Sequence, residues 1–360
     1  MPRNRKTTIR SVALAAFAIL ALSIRATAVE RATNAEGLWV SDFNHISEFQ
    51  GAALQESGTP SANLSFGIKR DFDQFSIAFD RHGNLWMTAH PANSHKFPII
   101  KVTRAEIASL KSGKQVRGEF VTPGKGLDET AWFGIAFDAA GDLWITNPGR
   151  QALMEFLPRQ IKSGRLGSPA VLISAMGFFP GEIRFDASDN LWATAGNNQL
   201  WRFNPGERAA SGPPNPGLVM NLPNGIGLVD FAFDSTGNLW LAGPVFPGPV
   251  FVDELEMISA SDLASAGEIS PPAAETITSS AFPIQSAGLS AGTCLGGIDF
   301  DHPGNLWVSA HCVADALVVE FTPSQLSTGG DLEPSVALGR NAAKTNLIFP
   351  GPMRFGPSLK

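Results

Sequence analysis

The sequence contains no tyrosine and only two cysteines, Cys294 and Cys312, in 360 residues. Two isolated cysteines rarely build a metal centre, which argues against a cysteine-ligated zinc site. No stretch beyond residue 24 is long and apolar enough to cross a bilayer as a helix, which takes about 20 residues. G-x-S-x-G, Walker, zincin and deaminase motifs are all missing, so no catalytic class is marked by a local signature. Positive charge is scarce as well. Once residues 1–28 are set aside, 22 Lys and Arg face 33 Asp and Glu, a formal charge of −11. Such a surface repels phosphate backbones and anionic lipid, so no nucleic acid or membrane surface is expected as a partner.

What is present begins with an export signal. Arg3, Arg5, Lys6 and Arg10 form a basic leader, Ser11 to Ile24 is an uncharged and mostly apolar run, and Ala26-Thr27-Ala28 supplies a small-x-small cleavage pattern. Residues 1–28 are therefore expected to be a signal peptide and 29–360 a single domain, periplasmic or secreted. The chain is 44% hydrophobic and 17% charged, enough to bury a large core, and its 36 Gly and 26 Pro suit many short strands joined by tight turns.

Five segments align without gaps: FSIAFDRHGNLWMTAH from Phe75, FGIAFDAAGDLWITNP from Phe133, GEIRFDASDNLWATAG from Gly181, VDFAFDSTGNLWLAGP from Val229 and GGIDFDHPGNLWVSAH from Gly296. Each reads as an apolar strand, an Asp-led turn and a second strand opening with Leu-Trp. The Asp accepts backbone N–H groups, and the Gly three residues on, such as Gly83, supplies positive φ. In the third copy Asp189 stands where the others have Gly. A second half follows each hairpin, as in LMEFLPRQI from Leu153 and PAVLI from Pro169. Four short antiparallel strands repeated about an axis make a propeller blade. The stretch Val245 to Leu289 is the longest insertion, expected to hold the outer strands of its blade and a long loop.

A sixth copy is divided between the ends. Gly351 to Gly356 matches a first strand, Gly37 to Asp42 a second, and Ile46 to Phe49 and Ser61 to Phe66 supply the third and fourth. The expected architecture is all-β: a six-bladed β-propeller, four antiparallel strands per blade, closed by one C-terminal strand and three N-terminal strands. A monomer is expected.

The unit G-I-x-F-D-x-x-G-N-L-W-V, followed by a strand of the type seen at Val318-Val319-Glu320-Phe321, resembles NHL repeats and the six-bladed SMP-30/gluconolactonase-like propellers. It is more distantly similar to the streptogramin lyase propellers. The gluconolactonase-like resemblance implies a divalent metal held by Glu, Asn and Asp. The Glu of that family's E-G-P motif is not carried over to Glu36, because the repeat places Glu36 in a turn at the opposite face.

Functional residues should break the repeat at the channel mouth, where first strands enter and second strands leave. Glu182 and Asp230 do so three residues before the repeat Phe, and Arg184, Asp299 and Arg354 one residue before it, all in neighbouring blades. These five, with Asn147, are the candidate ligand-binding residues. Glu182, Asp230 and Asn147 are the candidate ligands for Ca²⁺ or Mg²⁺, and His90 and His311 are weak candidates for general acid or base. Alternatively the charges pair locally, as Glu182 with Arg184 or Asp299 with Arg354. Cys294 and Cys312 flank the fifth hairpin in a register that sets them opposite each other, and export favours a disulfide worth about 2–3 kcal/mol. The leading expectation is a binding or interaction module for a small polar molecule or a protein. A metal-dependent lactonase or hydrolase is the alternative, and a streptogramin-lyase-like enzyme a third.

Overall fold

The structure is a computed structural model and describes residues 36–42, 45–68, 72–91, 99–110, 114–116, 118–121, 132–161, 165–196, 198–246, 250–282, 285–286, 295–311, 316–339, 347 and 350–358. Residues 1–28, Asn197, Cys294 and Cys312 lie outside this set, so the signal peptide and the disulfide are not described.

Six small antiparallel sheets form a ring, a six-bladed β-propeller. Blade 1 comprises Phe72–Phe79, Leu85–Pro91, Ile99–Val102 and Glu119–Val121. Blade 2 comprises Ile135–Phe137, Leu143–Asn147, Ala152–Phe156 and Val171–Ser174. Blade 3 comprises Ile183–Phe185, Leu191–Thr194, Gln199–Phe203 and Leu218–Asn221. Blade 4 comprises Asp230–Phe233, Leu239–Val245, Val250–Ile258 and Glu275–Thr278. Blade 5 comprises Leu295–Phe300, Leu306–Ala310, Ala316–Phe321 and Val336–Gly339. Blade 6 joins the ends: Pro350–Pro357 pairs with Glu36–Asp42, then His45–Phe49 and Leu64–Ile68 complete it. Trp39 faces Arg354 and Leu38 faces Phe355 across that closing pair. The long insertion holds the outer half of blade 4, with strands at Val250–Ile258 and Glu275–Thr278 and a capped helical turn at Ala260–Leu263.

The Asp-led turn is a small hydrogen-bonded hub. In blade 1 Asp80 Oδ1 accepts from the backbone N of His82 (2.9 Å) and Asn84 (3.0 Å), while Oδ2 accepts from Asn84 Nδ2 (2.8 Å) and Trp86 Nε1 (3.0 Å). The Asp-to-indole bond recurs at Trp144, Trp192, Trp240 and Trp307. Gly83 takes φ 74° as the turn requires, and Asp189 takes φ 59° in its place in blade 3. One carboxylate thus fixes both the hairpin and the indole that packs against the next blade. Blade 6 has no such hub: Gly356 stands where the Asp would be, and a Cβ there would come within 2.3 Å of the Phe79 ring. Trp39 Nε1 is buried without a partner.

Each repeat Trp lies against the repeat Phe of the next blade. The pairs are Trp86–Phe137, Trp144–Phe185, Trp192–Phe233, Trp240–Phe300, Trp307–Phe355 and Trp39–Phe79, with ring centroids 5.5–6.4 Å apart. Burying rings of this size dominates inter-blade cohesion. The rim carries a second device. The connector before a fourth strand reaches back to the outer strand of the preceding blade: Lys114–Val116 lies parallel on blade 6, Gly267–Ile269 on blade 3 and Gly330–Asp331 on blade 4. Single bridges do the same from Gly212 to Ile173 and from Gly58 to Leu338. Outer edges that would otherwise offer bare N–H and C=O groups are thereby covered.

Asp80→Ala should lower unfolding stability by about 2–3 kcal/mol, because it strips a charged acceptor from two backbone N–H groups and a buried indole; urea unfolding measures it. Deleting residues 351–360 should lower the melting midpoint by about 10 °C or more, since it removes the Phe355 contact and the strand that closes blade 6; an unchanged melt would overturn the closure.

Candidate functional site

The first strands line the channel, and their pattern-breaking residues meet at its centre. Glu182 of blade 3 and Arg354 of blade 6 belong to diametrically opposite blades, yet Arg354 Nη2 donates to Glu182 Oε1 at 2.6 Å. The same oxygen accepts from Ser76 Oγ of blade 1 at 3.0 Å. Arg184 Nη1 donates to Asp299 Oδ1 of blade 5 at 2.9 Å, and Arg184 Nη2 to Asp230 Oδ2 of blade 4 at 2.9 Å. Arg354 Nη1 also reaches Asp230 Oδ2, at 3.2 Å. Asp230 is further held by the N–H groups of Phe231 (2.8 Å) and Ile298 (3.0 Å), and Asp299 Oδ2 by the N–H of Phe355 (2.7 Å). Five charged side chains from four consecutive blades therefore cross the channel as one network, a polar floor beneath the mouth.

The pairing differs from the local one expected from sequence. Glu182 is bonded to Arg354 rather than to Arg184 in its own strand, and Asp299 to Arg184 rather than to Arg354. Residues two apart on a strand point the same way, so a long guanidinium reaches across the lumen more easily than it folds back on its own strand.

Burial pushes the Glu182 carboxyl up to about 7 against the pull of Arg354, with Asp230 reinforcing burial and Arg184 and the Ser76 hydroxyl opposing it. For Asp230 burial also raises the pKa, but Arg184, Arg354 and the Ile298 N–H outweigh it and hold the group below its ordinary value. Glu182 thus takes up a proton more readily than Asp230.

The other candidates stand apart from the floor. Asn147 is fully buried at the upper end of Leu143–Asn147. Its Oδ1 accepts the Arg150 N–H at 2.9 Å and caps a short turn. It lies in phase with Ile145, which packs between blades 1 and 2. His90 is the next-to-last residue of the second strand of blade 1, opposite Asp73 in register; its side chain lies outside the described residues. His311 follows the second strand of blade 5 and is half-buried.

Two acidic groups were not foreseen. On the turn face, Asp138, Asp142 and Glu155 of blade 2 have carboxylate oxygens within 4.8 Å of one another, a set that could hold a metal ion. Burial, then the neighbouring carboxylates, raise Asp142 and Glu155. Arg208 already serves this cluster: it donates to Asp138 at 3.1 Å and to Asp189 at 2.5 Å, and lies over the Trp144 and Phe185 rings. The signal was present in the repeat, where Asp142 replaces Asn and Arg208 replaces the Leu or Ile that other blades bury (Leu326, Ile161). The second group is Glu256, buried at the third strand of blade 4. It accepts from Asn224 Nδ2 at 2.6 Å, its Oε2 has no partner, and burial raises it to about 6. No repeat position marks it.

No protein-family model matches the chain, and no curated protein does. Among solved structures it is similar to a protein of unknown function from Bacteroides caccae, at 10% identity and TM-score 0.51, covering 90% of this chain and 100% of that one. It is also similar to a putative 6-phosphogluconolactonase from Bacteroides uniformis (10% identity, TM-score 0.48, 88% and 84% covered) and to virginiamycin B lyase from Staphylococcus aureus (16%, 0.46, 81% and 82%). The likeness is one of fold. These neighbours include lactonase-like and lyase propellers, and at such identities they do not choose between a binding module and an enzyme.

A carboxyl raised in the folded state contributes stability that is fully present below the unfolded value near 4.5 and is lost as pH rises through about 7. Wild-type stability should therefore fall by about 3 kcal/mol between pH 5 and pH 8 on account of Glu182. Glu182→Gln should remove most of that slope in denaturant melts, leaving the smaller part from Glu256, which has the same sign.

Proposed function

We propose that the protein is an exported binding propeller that takes a small polar ligand at the channel mouth without transforming it. The reading is carried by the cross-channel network. The carboxylates that would serve as a metal cage or as a free general base are bonded to two guanidinium groups, which suits them to a fixed recognition floor. Export rests on the basic leader and apolar run of residues 1–28. A protein ligand is accommodated by the same mouth if it presents a polar side chain to the floor.

One observation favours a second reading, a metal-dependent lactonase or hydrolase. Glu182 titrates near 7, where a general base is most effective. In that reading Ca²⁺ or Mg²⁺ would be held by Glu182 and Asp230, while Asn147, whose side chain caps the Arg150 N–H, stands apart from them. The ion would have to displace Arg354 from Glu182 Oε1 and Asp230 Oδ2.

The two separate in one experiment. Amines, carboxylates, sugars and lactones are each incubated with the protein, with and without Mg²⁺ or Ca²⁺, and scored both by thermal shift and by mass spectrometry of the ligand. Binding of one class, with the ligand recovered unchanged, is expected. Turnover of a lactone or ester that needs the metal would replace this reading with the hydrolase.

A further inference from the structure

The contact between a repeat Trp and the Phe of the next blade recurs around the turn face, and in three blades the chain lays its own cation over the indole. Lys101 Nζ lies 5.2 Å from the Trp86 ring centroid, and the Arg202 guanidinium 5.7 Å from that of Trp192. The Arg208 guanidinium lies 5.2 Å from Trp144 and 5.1 Å from Phe185. The negative face of each ring attracts the cation. Two positions supply it. Lys101 and Arg202 stand opposite the Trp on the third strand. Arg208 comes from the turn after the third strand of the following blade, five residues beyond Phe203, as Leu326 is five beyond Phe321.

Between blades 4 and 5 both positions are neutral. Met257 stands opposite Trp240, and Leu326 occupies the place of Arg208. A cavity of about 460 Å³ is found there, lined by Trp240, Phe300, Met257, Leu326, Asp234 and Glu275, with the exposed turn residues Thr236 and Pro303 at its rim. Its lining contains two acids and no Lys, Arg or His. Neither acid joins an ion pair among the described residues. Asp234 is saturated by its hub: Oδ1 accepts from Thr236 and the Asn238 N–H, and Oδ2 from Asn238 Nδ2 and Trp240 Nε1. Burial raises its pKa, but the Thr236 and Asn238 bonds outweigh it and hold the group below its ordinary value, so it lends charge to the cavity. Glu275, half-buried and opposite Met257 on the fourth strand, is the carboxylate left to accept a donor. Blade 1 has the same row with a cation in it: Trp86, Lys101 and Glu119 are register partners where blade 4 has Trp240, Met257 and Glu275.

We propose that this cavity receives an arginine side chain of another polypeptide, its guanidinium lying against the Phe300 and Trp240 rings and donating to Glu275. Arg208 is the pattern for it, a planar group that stacks on the corresponding two rings of blades 2 and 3. Met257 packs against the cluster that holds Trp240, and its unbranched thioether can reshape around a planar guest. The rim is made of exposed turns, so a side chain on another protein's surface can enter without parting the blades. The excess of acids over bases beyond residue 28 favours a basic partner. The site lies on the face opposite the channel mouth and is independent of the ligand proposed there.

The test titrates N-acetyl-L-arginine amide, which mimics an arginine within a chain, into the purified protein, followed by calorimetry and by the methyl NMR signals of labelled methionine. The Met257 signal is assigned by its loss in Met257→Leu. Saturable binding that moves the Met257 methyl is expected, with none for N-acetyl-L-citrulline amide, which has nearly the same shape and no charge. Glu275→Gln should weaken binding about fivefold. Leu326→Arg, which copies Arg208, should fill the seat from within and abolish the heat of binding. If that variant does not fold, Met257→Lys, which copies Lys101, makes the same test. Free arginine carries a carboxylate toward the two acids and should bind more weakly; tighter binding by it overturns the assignment to a polypeptide. Absence of binding, equal binding of the citrulline compound, heat without movement of the Met257 methyl, or unchanged binding in the filled variant overturns the inference. None of these substitutions touches the channel floor, so their outcome leaves the binding reading of the mouth as it stands.

Discussion

Each blade leans its tryptophan on the phenylalanine of the blade that follows, and the sixth such contact, Trp39 on Phe79, returns to the first blade. An aromatic ring can lie against its neighbour at this distance only if its own orientation is fixed. In five blades that is done by the Asp that also builds the hairpin, through a hydrogen bond to the indole N–H. Turn, strand pairing and blade packing are thereby tied to one carboxylate per blade. Hydroxyls extend the tie at the mouth: Thr146 Oγ1 donates to the Gly181 carbonyl of the next blade at 2.6 Å, and Ser309 Oγ to that of Gly351 at 2.8 Å.

The candidate site follows from that rigidity. With the blades fixed, first-strand residues from opposite sides of the ring come within hydrogen-bond reach, and long side chains close the lumen between them. The network costs desolvation, which its multiple hydrogen bonds offset. It also makes the channel a cup with a charged base instead of an open bore at this level. On the binding reading proposed above, the array is held in place before a ligand arrives, so little ordering would remain to be done.

The ring, its six copies and its closure were legible because the repeat is strict: Phe, Asp, Leu and Trp recur at fixed offsets, and period-two patterning gives the strands. The residues of the floor were legible as well, since Glu182, Arg184, Asp230, Asp299 and Arg354 each break that repeat. Their partners were not. Pairing across a lumen depends on which side chains are long enough to reach, and sequence order favours the nearer neighbour, as with Glu182 and Arg184. The role of Asn147 was hidden for a related reason, because its side chain turns back to cap the Arg150 N–H. The clasping of five blades by the next connector was also invisible, since Lys114–Val116 and Gly330–Asp331 carry no strand signature and pair only because an edge is waiting for them.

The blade that closes the ring is also the one without a hub, for Gly356 leaves the Trp39 indole unbonded. Its first and second strands come from opposite ends of the chain, the most distant pairing among the described residues, and the one whose closure costs the most chain entropy. Before that pairing forms the strand Glu36–Asp42 is a bare edge, and the final strand of a second copy matches it as well as its own does. A terminal strand that must return to such an edge is the kind of element that domain swapping exchanges between copies, and the balance between closure and exchange depends on protein concentration.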